Sequence, residues 1–209
     1  MEKKSEYPEA ATGVVLSDSN QMSVGSVPLP PLRAGDVLVE VFGGPINPSD
    51  VYFLEGTYPV KRNRPTICGF EGSGKVIKAG SDKFSWLVGR EVCFFGGDER
   101  SFGSWGDYTV MPGQTVYPLP EGVDLRQGSA LLVNPLTIEI FLHLCQEKKI
   151  NCIVHTGAAG SLGKLLITAC DQEGITLINI VRSERQVEIV RSLGGRYVLN
   201  SQSKTFPTD

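Results

Sequence analysis

The sequence predicts a β domain followed by a parallel α/β domain, and three observations carry that expectation. Residues 1–128 are short apolar runs broken by glycine and proline, as in a small irregular barrel. From Ser129 the runs reach helical length and then alternate strand, helix, strand with short connections, which demands a parallel sheet. Where the second pattern begins, a glycine-rich turn joins an apolar strand to the start of a helix.

In the first part, Val14–Leu16, Val37–Phe42, Gly74–Ile77 and Glu91–Phe95 read as strands, each bounded by turn residues. Pro28, Pro30 and Pro31 mark an extended connection, because proline fixes φ and cannot donate to a ladder. Ser49 and Asp50 read as caps of a following helix. In the second part, Ala130–Val133 and Ile138–Leu144 have helical length, with Pro135 at a plausible first turn. Strands follow at 151–155, 176–181 and 197–199, with helices at about 162–172 and 184–193. The last helix sets Val187, Val190 and Leu193 on one side and Arg185, Glu188 and Arg191 elsewhere, and Gly194-Gly195 stops it.

Composition sets the frame. The 209 residues are 41% hydrophobic and 21% charged, ordinary values for a globular protein. A net charge of -3 gives no broad electrostatic reason to bind nucleic acid or an anionic membrane, and no apolar stretch is long enough to span a bilayer. Met1–Glu6 carries acidic residues and no apolar core, which fits neither a secretory signal nor a transit peptide. Five widely spaced cysteines, Cys68, Cys93, Cys145, Cys152 and Cys170, read as buried free thiols of a reducing compartment, cytoplasmic or mitochondrial.

The turn itself reads Gly157-Ala158-Ala159-Gly160-Ser161-Leu162-Gly163. Aligned on the dinucleotide pattern G-x-G-x-x-G, Ala158 replaces the first glycine. Gly160 admits a pyrophosphate to the backbone, and Gly163 admits the strand to the helix. Ala159, Ser161 and Leu162 complete the loop, and the free N–H groups at the helix start would face phosphates. At the end of the next strand stands Arg182, where an acidic residue would hold the ribose of NAD. Arginine there suits a 2′-phosphate, with Arg185 as a second clamp, so the expected cofactor is NADP(H).

These motifs, together with Gly44–Asp50, Glu55–Pro59, Gly69–Val76, Gly103–Tyr108 and Asn134–Thr137, resemble the medium-chain dehydrogenase/reductase superfamily, on its zinc-independent quinone- and enoyl-reductase side. The resemblance implies a GroES-like catalytic β-barrel domain at 1–128 and a partial, doubly wound Rossmann domain at 129–209. Asn179–Arg182 is similar to the mitochondrial enoyl-thioester reductases, and quinone reductases show a similar stretch, so both branches stay open. By the same resemblance Tyr58 lines the active site and assists protonation, Asn47 contacts substrate or nicotinamide, and Thr137 contacts the nicotinamide side of the cofactor. Zinc-dependent members carry a cysteine where this chain has Asn47 and a histidine where it has Phe70; neither replacement is a usual zinc ligand, and no metal is expected.

The resemblance also implies a second domain that is incomplete at Asp209. A Rossmann sheet has the strand order 3-2-1-4-5-6, and this sequence supplies the first three strands. Its first strand, Cys152–His155, is then an apolar edge that needs cover. The readings are a truncated form of a complete reductase, a chain that pairs with a protein partner along that edge, or a nucleotide-binding or scaffold module without chemistry. In each the ligand is a small molecule, and nucleic acid and membrane are not partners.

Overall fold

The computed structural model describes residues 7–97 and 102–206. Met1–Glu6, and with it the leader expectation, lies outside the described residues. The chain divides into two compact units, Met1–Leu132 and Val133–Asp209.

The first unit is built from two antiparallel sheets. One pairs β1 (Ala10–Leu16) with β2 (Met22–Pro28) on one side and β4 (Thr66–Ile67) on the other. The second runs β7 (Tyr108–Pro112), β3 (Asp36–Gly43), β5 (Glu71–Ala79), β6 (Glu91–Phe95), β8 (Val116–Pro118). Sequence patterning misses β2 because most of its side chains are exposed and its apolar alternation is weak. The core of the larger sheet is Val37, Val39, Val76, Val92, Phe94 and Met111, all buried. Where β3 crosses β5 the register shifts between Val41 and Gly43, and the backbones approach closely. A Cβ at Gly74 would lie 2.2 Å from the Glu40 carbonyl oxygen, so only glycine fits this crossing.

Two short helices complete the unit. Helix α1 (Pro48–Leu54) leaves β3 and carries the residues around which the first unit's candidate site is built, and α2 (Leu125–Gly128) precedes the boundary. The N-cap of α1 is Asn47, not Ser49. Pro48 occupies the first helical position, where its missing N–H costs nothing, and Asp50 reaches back to accept the Asn47 N–H at 2.6 Å.

In the second unit β9 (Cys152–Thr156), β10 (Thr176–Val181) and β11 (Tyr197–Asn200) form a parallel sheet in the order β11-β10-β9. The register pairs Ile178 with Val154 and with Tyr197. Helices α4 (Ser161–Gln172) and α5 (Glu184–Ser192) supply Leu166, Ile167, Cys170, Val187 and Val190 to one core with Leu177 and Val181 of β10. Helix α3 (Val133–Lys148) adds Ile138 and Leu142. It begins at Val133; Ala130–Leu132 are turn residues and not its first turn.

Two expectations change at the level of the fold, and the exposed edge expected at β9 is seen. Leu193 is 45% exposed, because α5 ends at Ser192 and its cap turns away from the sheet. Four cysteines are buried and free, but Cys152 is exposed, because β9 pairs only with β10 among the described residues. The same open edge leaves Val154 at 61% exposure.

The Gly74 crossing gives a direct test. Gly74→Ala should lower unfolding free energy by about 1–3 kcal/mol, as overpacking does. Gly25→Ala meets nothing nearer than 3.7 Å and should cost nothing measurable in the same urea titration. Equal losses at the two sites would count against close packing at the crossing.

Candidate functional site

The proposed catalytic residues of the first unit gather around α1. Asn47 begins the helix and Tyr58 follows it, with the Tyr58 N–H donating to the Tyr52 carbonyl at 3.1 Å. Asn47 is buried, and its Nδ2 donates to Glu71 Oε2 at 3.0 Å. Glu71, at the start of β5 and 1% exposed, takes a second N–H from Leu132 on Oε1 at 2.7 Å. Tyr58 is half-buried, with its ring centroid 5.1 Å from that of Phe70. Phe70 also meets Phe53 at 5.2 Å and Phe95 at 6.4 Å. Because Phe70 and Glu71 are consecutive, one strand start presents an aromatic wall to Tyr58 and a carboxylate to Asn47.

This donor set does not suit a metal. Phe70 offers no lone pair, Asn47 turns its amide nitrogen to Glu71, and both Glu71 oxygens already accept N–H groups. Among the described residues no group of three or more His, Cys, Asp or Glu side chains converges.

Sequence reasoning missed two residues of this cluster. Asp50 is 1% exposed, and its Oδ1 finds no hydrogen-bond partner among the described residues. Burial raises its pKa above the usual 3.8, opposed by the Asn47 N–H and the Arg62 charge and reinforced by Glu71. Arg62 is the second, a buried guanidinium beneath the aromatic wall. Asp50 reads from sequence only as a helix cap, and Arg62, in a loop between glycine and proline, reads as solvated, so neither burial is signalled. Cys68 lies in the same cluster, but burial pushes its thiol up to about 11, which keeps it protonated and unreactive.

In the second unit the loop after β9 and the residue after β10 end at the same edge of the parallel sheet, tied by the Ala158 N–H to the Ile180 carbonyl at 3.4 Å. Gly157 has φ +70°, so the left-handed residue of the turn stands one position before the replaced first glycine. Ala158 is fully buried under the helix. At Gly163 a Cβ would meet the Ala158 carbonyl oxygen at 2.3 Å, which explains that glycine by packing alone. Gly160 is the N-cap of α4 and offers no side chain to its first turn, so the N–H groups of Ser161, Leu162 and Gly163 stay available to an anion. Ala159 is half-buried beside them.

Arg182 and Arg185 are both exposed, and the backbone N–H of Arg182 donates to Gln186 Oε1 at 2.9 Å. Thr137 lies inside α3, and its hydroxyl donates to the Val133 carbonyl at 2.7 Å, so it keeps only acceptor capacity for a ligand. The nearby His155 is half-buried, and burial lowers its pKa.

Comparison with known proteins finds relatives over most of the chain. Residues 33–121 match the alcohol dehydrogenase GroES-like domain family. The chain is 33% identical over 187 residues to a mitochondrial enoyl-[acyl-carrier-protein] reductase of Caenorhabditis elegans, covering 83% of this chain and 53% of that protein. It is 30% identical to the Arabidopsis thaliana protein of that name, over 83% of this chain and 48% of that one. A Mesorhizobium loti crystal structure assigned to the NADPH:quinone reductases superposes with a TM-score of 0.87 at 28% identity, over 97% of this chain and 63% of that one. These likenesses support the medium-chain dehydrogenase/reductase superfamily for this chain, on its zinc-independent quinone- and enoyl-reductase side. It spans about half the length of the curated relatives it matches. Within the superfamily its relatives are quinone and enoyl reductases, and its fold is the GroES-like barrel with a parallel sheet in Rossmann strand order.

The buried carboxyl of Asp50 makes stability depend on pH. Its folded pKa exceeds the unfolded 3.8, so protonation favours the fold: that stabilisation is complete below 3.8 and is lost as pH rises through the raised value. Asp50→Asn stays neutral throughout. It should therefore gain on the wild type across this window. Urea titrations from about pH 3.5 to 6.5 should show the gap opening; a pH-independent gap would contradict the burial argument.

Proposed function

We propose that the chain carries the working parts of an NADPH-dependent, zinc-independent oxidoreductase that reduces a quinone or an activated C=C bond, as in an enone or enoyl thioester. The observation that carries this reading is the uncapped first turn of α4 beside Arg182: backbone donors for a pyrophosphate, and a cation at the next strand end for a 2′-phosphate. The names of its relatives, enoyl reductase and NADPH:quinone reductase, support the same class. In this assignment Met1–Gly128 is the catalytic domain and Ser129–Asp209 the NADP-binding part. The thiols and the mitochondrial relatives fit a reducing compartment, cytosolic or mitochondrial.

The residues divide the work by chemistry. Gly160, Ser161, Leu162 and Gly163 hold the pyrophosphate, Ala159 lines it, Arg182 and Arg185 clamp the 2′-phosphate, and Thr137 accepts from the nicotinamide amide. NADPH, when bound, supplies a hydride to the β-carbon of the acceptor. The electron pair of the C=C bond then moves toward the carbonyl oxygen, where the Tyr58 O–H donates and stabilises the developing charge. Asn47, held by Glu71, fixes the polar end of the substrate. Proton loss from Tyr58 is made good from solvent.

A second reading comes from the open edge of β9. With Val154 and Cys152 exposed there, the chain also fits a nucleotide-binding or scaffold module that pairs a strand of a protein partner along β9. Mixing the protein with NADPH and a panel of quinones, enals and enoyl thioesters, and following the nicotinamide absorbance, separates the two. Oxidation with any member supports the reductase; tight NADPH binding without oxidation supports the module.

Cofactor choice has its own test. Arg182→Asp should weaken NADPH about 10–100-fold, the worth of charge-assisted hydrogen bonds, and leave NADH nearly unchanged. Equal losses would remove the 2′-phosphate assignment. For the chemistry, Tyr58→Phe should reduce turnover about 10²–10⁴-fold without changing NADPH affinity. Retained turnover would reassign the proton donor.

A further inference from the structure

Arg62 is a charged side chain at 7% exposure, held largely by backbone carbonyls. Its Nη1 donates to the Gly69 carbonyl at 3.0 Å and to the Ile67 carbonyl at 3.4 Å. Nη2 donates to the Gly96 carbonyl at 2.6 Å. The guanidinium lies 4.5 Å from the Phe70 ring centroid and 5.4 Å from that of Phe53. One planar group thus joins the last turn of α1, the connection from β4 to β5, and the segment just after β6. Burying such a charge is costly, and an apolar side chain would fill the space at less cost. What the guanidinium adds is direction: a rigid fork of donors reaches several carbonyls at once and stacks on aromatic faces.

The segment so held is the one that bears Tyr58. Tyr58 lies four residues before Arg62, its N–H is tied to α1 through Tyr52, and its ring rests on Phe70. Val60, between them, packs into the same buried cluster. Without Arg62 the turn keeps its helix-side anchor and the packing of Tyr58 and Val60 but loses its polar ties to the Ile67, Gly69 and Gly96 carbonyls, and Phe70 loses the cation stacked on it.

We propose that Arg62 is a positioning residue for Tyr58: it locks the 55–62 turn and the Phe70 ring so that the Tyr58 hydroxyl keeps one orientation. The proposal rests on the reading of Tyr58 as the substrate-contacting donor, but its test does not require turnover. The full chain is prepared with 3-fluorotyrosine at position 58 and followed by fluorine NMR. The wild type should give a single narrow line shifted from free 3-fluorotyrosine by the Phe70 ring.

Arg62→Met keeps volume without donors, and Arg62→Lys keeps the charge without the fork. In both, the line should broaden or move at least halfway to the free-tyrosine position, while far-UV circular dichroism shows the fold retained. Lysine should not rescue it. If Arg62→Met does not fold, Arg62→Lys decides alone. Melting temperatures that fall while the fluorine line keeps its place and width would overturn the proposal and leave Arg62 a structural residue. With a quinone, enal or enoyl thioester that the wild type reduces, Arg62→Lys should lower kcat about 10²-fold, the cost of a misplacement near 1 Å, with the KM for NADPH unchanged. A wild type that oxidises no NADPH removes the functional reading of Tyr58, while the fluorine spectra still decide whether Arg62 fixes its orientation.

Discussion

A carboxylate at 1% exposure has to be solvated by protein, and much of the first unit answers to that demand at Glu71. Its two oxygens draw in donors distant in sequence: the amide of Asn47, 24 residues before it, and the N–H of Leu132, 61 residues after it. The first fixes where α1 begins. The second fixes the last residue of the unit against the start of β5. Because both oxygens are committed, the site is organised for hydrogen bonding, and a polarising group must come from an O–H or N–H donor. That is why the tyrosine on the adjoining aromatic wall bears the chemical weight of the proposed reaction.

The two units solve their problems by different means. The proposed anion corner of the second unit is backbone work: a left-handed glycine, a helix start without a side-chain cap, and Gly163, where an added Cβ would lie 2.3 Å from the Ala158 carbonyl oxygen because the helix start packs closely on the turn. Nothing in it needs a charged side chain except Arg182, which stays exposed at the strand end and carries no burial cost. The wall of the first unit is side-chain work, with Asp50, Arg62 and Glu71 buried together under Tyr58 and Asn47. Burying charges this close makes each dependent on the others, as the opposed influences on Asp50 show.

That contrast explains what the sequence could reveal. The loop and the alternation of β9, α4, β10, α5 and β11 were legible because backbone-built turns and alternating elements constrain residue type at fixed spacing. The role proposed for Arg182 came from its position at the strand end, and those proposed for Asn47 and Tyr58 came only through family motifs, since an isolated asparagine and a loop tyrosine have no local signature. Arg62 was invisible and Asp50 was legible only as a cap, because their burial depends on groups that the fold brings together. The cap of α1 was misplaced by two residues for a related reason: Ser49 and Asp50 both suit a cap, and only the position of Pro48 as first helical residue decides that Asn47 takes it. Cys152 shows the reverse error. It reads as one of the buried thiols although its strand reads as an edge, and β9 has a neighbour on one side only among the described residues.

The open edge of β9 and the exposed arginines belong to one physical argument. A parallel strand buries its faces only when sheet and helices continue around it. Here β10, flanked on both sides, buries Leu177, Asn179 and Val181, whereas β9 at the edge buries none of its five residues. The binding corner nevertheless forms, because its donors belong to α4, which packs on β10 through Leu166 and Ile167 and does not need a further strand beside β9. In the proposed function, retention of the cofactor's phosphate end therefore rests on the contacts of α4 and the end of β10, and these form without a further strand beside β9 among the described residues.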